Sequence, residues 1–228
     1  YRGTVKARLS CEGFPPDELD ELERTDASLI PRVEWPMPER FANLADGDEL
    51  RYGGYRMRAV DTPGHTPGHQ CLYLPDQKIM FYGDHLLMNS SPNMAPFPGE
   101  ADSLGDYLRS LDKVAQLPVE FACMGHGFVD PRRQAEAMPE RIAWLQRHHR
   151  QRLDEIAAQL EERPGMTGTE LAKSITWNIP HAAWEEIPII QRWIVVCETL
   201  AHLDHLMGEG RVRRERAADA YRYFMEQR

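Results

Sequence analysis

Three short segments of this sequence place metal-capable side chains in glycine-rich turns: TPGHTPGH with His65 and His69, YGDH with Asp84 and His85, and MGHG with His126. Imidazole and carboxylate groups ligate zinc, iron or manganese, and a neighbouring glycine lets the backbone approach an ion unobstructed. One such segment alone reads more simply as a satisfied core histidine. Three of them, in order and each beside a strand-like run, point to a metal centre.

The elements that must hold these turns are visible around them. ELRY and YRMRAV flank Gly53 and Gly54 and read as a hairpin, and QCLYL and KIMFYGD form a further strand pair about PDQ. VEFACMGHG reads as a short buried strand running into its turn. Leu104, Tyr107, Leu108, Leu111 and Val114 recur at helical spacing over 103–116, with Ser103 as the expected N-cap. A short helix is expected over 13–23, opened by Pro15 and Pro16, and the proline-containing stretch 31–48 reads as irregular. From Pro139 the pattern is helical, with Ile142, Leu145, His149, Leu153, Ile156 and Leu160 on one face. The expected domains are therefore 1–138, carrying the candidate site, and a helical 139–228.

Composition narrows the class. The chain has 228 residues, 42% hydrophobic and 28% charged, which is the range of globular proteins, and no apolar run approaches the roughly 20 residues that span a bilayer. Cys11, Cys71, Cys123 and Cys197 are scattered, so a disulfide framework is not indicated and a reducing, cytoplasmic compartment is expected. Residues 1–140 carry 14 basic and 23 acidic side chains, whereas 141–228 carry 13 of each. That balance argues against a nucleic-acid groove in the first part. The sequence begins with Tyr, and YRGTVKARLSCEGF reads as the continuation of an upstream segment.

The segment DTPGHTPGHQCLYLPDQKIMFYGDHLL, followed by MGHG, resembles the metallo-β-lactamase-fold hydrolases, particularly the branch of hydroxyacylglutathione hydrolase (glyoxalase II) and its thioesterase and lactonase relatives. The resemblance runs from about residue 44 to 130. It implies an α/β fold, the αββα sandwich of that family, with His65 a ligand of a first metal and His126 of a second. It also makes Asp84 the carboxylate bridging both ions, and so the candidate catalytic residue. The cofactors implied are two divalent ions, zinc first with iron or manganese as alternatives.

His69 is expected to pack or support a ligand, while His85 is left open between facing substrate and packing. Asn93, in a segment that looks like a cleft loop of the related branch, is open between a substrate contact and a polar turn.

The chain also departs from the pattern. The family's leading His-x-His-x-Asp-His motif does not occur upstream of His65, where there is no histidine at all, and AHLDHL at 201–206 reads as a chance likeness. The sandwich therefore reads as lacking its N-terminal part. Three accounts stay open: a fragment, a metal-poor relative, or a site completed by another chain.

The C-terminal part resembles the winged-helix domain appended to one branch of these hydrolases, on HHRQRLDEI and AHLDHLMGEGRVRRE. Its candidate recognition helix has Arg192 as its only Lys or Arg, and Arg211, Arg213, Arg214 and Arg216 gather in the wing. A scaffold or homodimer role is expected over nucleic-acid binding, with Trp177, Trp184 and Trp193 in the core. The function expected is hydrolysis of a small ester, thioester or lactone by a metal-activated water, with a nuclease of the same fold and a metal-free binding protein as alternatives.

Overall fold

β-Forming side chains concentrate between Glu49 and Met124, and there the chain builds one sheet. The computed structural model describes residues 2–29, 42–127, 130–179 and 183–226. Strands β1 (Glu49–Tyr52), β2 (Tyr55–Asp61), β3 (Gln70–Leu74), β4 (Ile79–Gly83) and β5 (Phe121–Met124) pair in sequential order. Each of the first four is antiparallel to its neighbours among them, and β5 runs parallel to β4. Gly53 and Gly54, at φ 57° and 83°, make the two-residue turn between β1 and β2 that favours positive φ.

Register assigns the faces. Val60, Cys71, Tyr73, Met80, Tyr82 and Ala122 are buried on one side, whereas Leu72 and Phe121 on the other are half-buried and Phe81 is exposed. Among the described residues there is one five-stranded sheet and one separate two-stranded hairpin, so the two facing sheets of an αββα sandwich are not both present.

Two compact units make up the chain: residues 38–94 with 102–149, and residues 1–37 with 95–101 and 150–228. The first holds the sheet and helix α3 (Ser103–Ala115), whose Leu104, Tyr107, Leu111 and Val114 are buried at the expected spacing. The cap, however, is Asp102 rather than Ser103. Asp102 Oδ1 accepts the Gly105 amide at 2.8 Å, so Ser103 is already inside the first turn.

Helix α4 (Pro131–Glu162) starts eight residues before the expected Pro139 and runs through the 138/139 boundary drawn from the sequence. Asp130 opens it, its carboxylate accepting the Arg132 amide at 2.9 Å and its carbonyl the Gln134 amide at 3.0 Å. An interior proline removes one hydrogen bond at a cost of about 3 kcal/mol, which a helix of 32 residues can absorb.

The second unit contains α1 (Arg2–Cys11), α2 (Pro16–Leu29), α5 (Gly168–Ser174), α6 (Ile189–Gly208) and the hairpin β6 (Val212–Arg216) and β7 (Tyr221–Met225). α1 has no acidic first turn and only a weak apolar stripe, so its sequence carried no helix signal. It is tied in by polar contacts: Arg8 holds both oxygens of Asp204 in α6, and Tyr223 donates to the buried Glu12 carboxylate at 3.0 and 2.9 Å. Thr167 and Glu170 form a reciprocal capping box on α5.

Trp177, Trp184 and Trp193 are half-buried rather than core, and the Trp177 ring carries the Arg152 guanidinium 3.8 Å from its centre. AHLDHL lies inside α6, where His202 is buried and bonded to the Glu198 carbonyl. The four cysteines are free, and no helix among the described residues is long and apolar enough to cross a membrane.

Candidate metal centre

Strand direction brings the three turns together. β4 and β5 are parallel, so Asp84 and His126 both leave the sheet at the same edge. β3 is antiparallel to both of its neighbours, so the β2–β3 connection carrying His65 and His69 lies at that edge too. The connection closes on itself through the Thr62 amide, which donates to the His69 carbonyl at 2.9 Å. It is fastened to α3 where Ser110 donates to the Pro63 carbonyl, also at 2.9 Å.

Asp84 is central. His65 Nε2 lies 3.8 Å from its Oδ2 and His126 Nε2 lies 3.1 Å from its Oδ1, so the two rings address opposite oxygens of one carboxylate. On one tetrahedral zinc with bonds near 2.0 Å, neighbouring ligand atoms stand about 3.3 Å apart, so His126 and Asp84 Oδ1 have the spacing of two ligands of one ion, and His65, 3.8 Å from the other oxygen, lies somewhat beyond it. The nitrogen and oxygen donors suit zinc, iron or manganese. The His65, Asp84 and His126 side chains are 26%, 37% and 72% exposed, which leaves the carboxylate accessible to water and a small substrate.

Glycine makes room for this arrangement. A Cβ on Gly125 would stand 2.6 Å from Asp84 Oδ1 and 2.9 Å from the Gly83 carbonyl, which accepts the Gly125 amide at 2.8 Å. Gly83 itself has φ 52°, and a Cβ there would meet His69 Nε2 at 2.9 Å.

His65 Nδ1 lies 2.9 Å from the Asn93 main-chain oxygen. A carbonyl only accepts, so Nδ1 carries a proton, and Nε2 is the nitrogen turned toward Asp84. Asn93 thus meets the site through its backbone, while its side-chain oxygen is buried with no hydrogen-bond partner among the described residues.

His69 does not join Asp84. Its Nδ1 bonds the Thr62 hydroxyl at 2.7 Å, and burial, followed by the neighbouring His65, lowers its pKa. His85 is fully buried beneath the turn, its ring 5.9 Å from His69 and 5.3 Å from Tyr107, and burial pushes its pKa down to about 3. Its ring is packed out of contact with solvent, which favours the packing alternative. Sequence reasoning gave no role to Thr62, although it opens the TPGHTPGH segment, and it missed Arg141, for which there was no local signal.

Residues 14–126 match the metallo-beta-lactamase superfamily. A metallo-beta-lactamase family protein from Thermus thermophilus is 30% identical, with a TM-score of 0.75 over 98% of this chain and 64% of its own. A beta-lactamase domain protein from Burkholderia ambifaria is 28% identical, with a TM-score of 0.76 over 98% and 63%. Among curated relatives, a beta-lactamase-like protein 2 homolog from Caenorhabditis elegans is 26% identical over 76% of this chain and 56% of its own length. A hydroxyacylglutathione hydrolase from Cereibacter sphaeroides is 34% identical over 40% of this chain and 34% of its own. The chain thus spans less than two thirds of each of these proteins.

Proposed function

From the match of residues 14–126 to the metallo-beta-lactamase superfamily, we propose that this chain is a member of it and carries part of the active site of a metal-dependent hydrolase. Its substrates are small esters, thioesters or lactones. The observation that carries the reading is Asp84 set between His65 and His126, one ring at each oxygen. That is the placement a carboxylate needs in order to be shared by two ions. When bound, divalent metal supplies an acidified water and polarises the carbonyl to be attacked.

The remaining steps belong to the chain's own residues. Asp84 would hold the two positions in register and offset their charge. His65 would present Nε2, because Nδ1 is engaged by Asn93. His126, the most exposed of the three, would complete the second position. These donors leave coordination places to be filled, and the His-x-His-x-Asp-His segment of the family does not occur in these 228 residues. Thioesters are the first substrates to try, given the 34% identity to a hydroxyacylglutathione hydrolase.

The helix, helix and hairpin order of α5, α6 and β6–β7 supports a winged-helix reading of the C-terminal elements, with a scaffold or homodimer role. Arg192, the only Lys or Arg of α6, is engaged by the carbonyls of Ile187 and Glu185 and by Glu18. In the wing, Arg213 pairs with Glu215, Arg211 with Glu209, and Arg214 and Arg216 stack on Tyr221. These engagements weigh against a phosphate-binding nuclease.

Elemental analysis of the purified protein, with its intact mass and turnover of a thioester panel, tests the reading. Close to two zinc, iron or manganese ions per molecule, lost together with turnover in Asp84→Ala, is the expected result. Turnover that survives His65→Ala and Asp84→Ala would refute it.

A further inference from the structure

We propose that Arg141 is a positioning residue for the His65–Asp84–His126 centre, acting through the irregular loop from Leu86 to Asn93; this rests on the metal-site reading above. The loop begins two residues after Asp84, and its far end supplies the carbonyl that holds His65 Nδ1. Leu86 and Met94 are fully buried and anchor its two ends, but the backbone between them belongs to no helix or strand.

One guanidinium braces that backbone. Arg141 donates from Nε to the Leu87 carbonyl and from Nη2 to the Ser90 carbonyl, both at 2.7 Å. These two bonds and the Asn93–His65 bond reach residues 86–93 from outside the loop. The guanidinium is itself held, 4.4 Å from the centre of the Trp144 ring one helical turn along α4, and Trp144 stacks in turn on His148.

A planar fork spans two carbonyls three residues apart, whereas an ammonium is a single point. The fork is charge-assisted at both bonds, which makes it stiffer than a neutral contact. With the loop braced, the Asn93 carbonyl stays fixed in space, and with it both the tautomer and the ring orientation of His65. Without the brace, the carbonyl moves, Nδ1 loses its acceptor, and the proton redistributes between the two ring nitrogens. Nε2 is then no longer a dedicated lone pair. Partners that orient a ligating histidine in this way typically contribute about 10- to 100-fold in metal affinity.

The test uses the full chain and two readouts. In metal-free protein, long-range proton–nitrogen spectra should show His65 protonated at Nδ1, and Arg141→Leu should turn this into a mixture of tautomers. Zinc affinity, measured by competition with a chromophoric chelator, should fall at least tenfold in Arg141→Leu and by less in Arg141→Lys, which can still reach one carbonyl. A folded Arg141→Leu protein with the native His65 tautomer and unchanged zinc affinity would overturn the proposal. Should the leucine variant fail to fold, Arg141→Gln and Arg141→Lys carry the same two readouts. A wild-type chain that takes up no zinc would instead sink the hydrolase reading, and the metal-free spectra would still decide the role of Arg141.

Discussion

Gly64→Ala, set beside Gly68→Ala, tests how the His65 turn is docked. The two glycines occupy equivalent places in the repeated triplets PGH, four residues apart. Their surroundings differ. Gly64 has φ 135°, and a Cβ there would lie 2.5 Å from Tyr107 Cβ, 2.6 Å from its Cα and 2.8 Å from its amide nitrogen. Gly68 has no such backbone angle, and a Cβ on it meets nothing within 4 Å.

Backbone strain at such an angle costs about 1–3 kcal/mol for a residue with a Cβ. Displacing the α3 backbone costs about 1–3 kcal/mol more, since Tyr107 is fully buried and cannot swing aside. The expected loss for Gly64→Ala is about 2–6 kcal/mol, against no more than about 0.5 kcal/mol for Gly68→Ala. With a urea slope near 2 kcal/mol/M, the midpoint should fall by about 1–3 M. Circular dichroism follows the melt, and hydrogen exchange at the amides of β2 and α3 separates this unit from the other. Equal midpoints for the two variants would refute the claim that backbone contact between the turn and α3 sets the position of His65.

Other consequences are as direct. Gly125→Ala should push Asp84 Oδ1 off its position, lowering zinc affinity at least tenfold in a protein that remains folded by circular dichroism; unchanged affinity in a chelator competition would contradict it. Thr167→Ala removes one arm of the α5 capping box and should cost about 1 kcal/mol in a thermal or urea melt. Glu198 is fully buried in α6, and burial, only partly opposed by Arg152, raises its pKa to about 7. Because the folded value lies above the unfolded one, its stabilising effect is complete below about pH 4.3 and is lost as pH rises through about 7. Glu198→Gln should therefore match wild type near pH 4 and exceed it by about 3 kcal/mol at pH 8, and a difference that does not vary with pH would exclude the carboxyl as its source.

Much of the site was legible because its signals are local. Alternating apolar residues, with Gly53 and Gly54 between β1 and β2, mark β1 to β4, and Asp84, His126 and His65 stand one, two and four residues beyond the ends of β4, β5 and β2, so the motifs mark one edge of the sheet. Helix α3 was readable from spacing that a 3.6-residue period requires, although its cap was misplaced by one residue because Ser and Asp both cap well. The start of α4 was not readable, since Pro139 normally marks a beginning and here sits inside. α1 escaped because its stability comes from Arg8 and Glu12 contacts with residues some 200 positions away, and no local pattern encodes those.

By itself, then, the sequence determined which residue types stand at which turns, that imidazole and carboxylate are among them, and the period of the elements between them. Local chemistry and strand or helix periodicity are properties of neighbouring residues, and the chain order displays them. Only the tertiary structure decided that Asp84 lies between two imidazoles, that His85 is a buried neighbour and not a second face of the site, and that Asn93 acts through its carbonyl. It also separated Gly64 from Gly68 and brought Arg141 to a loop more than 50 positions earlier in the chain. Each of those depends on which segments come within a few ångströms of one another, and that follows from packing and strand direction across the whole sheet.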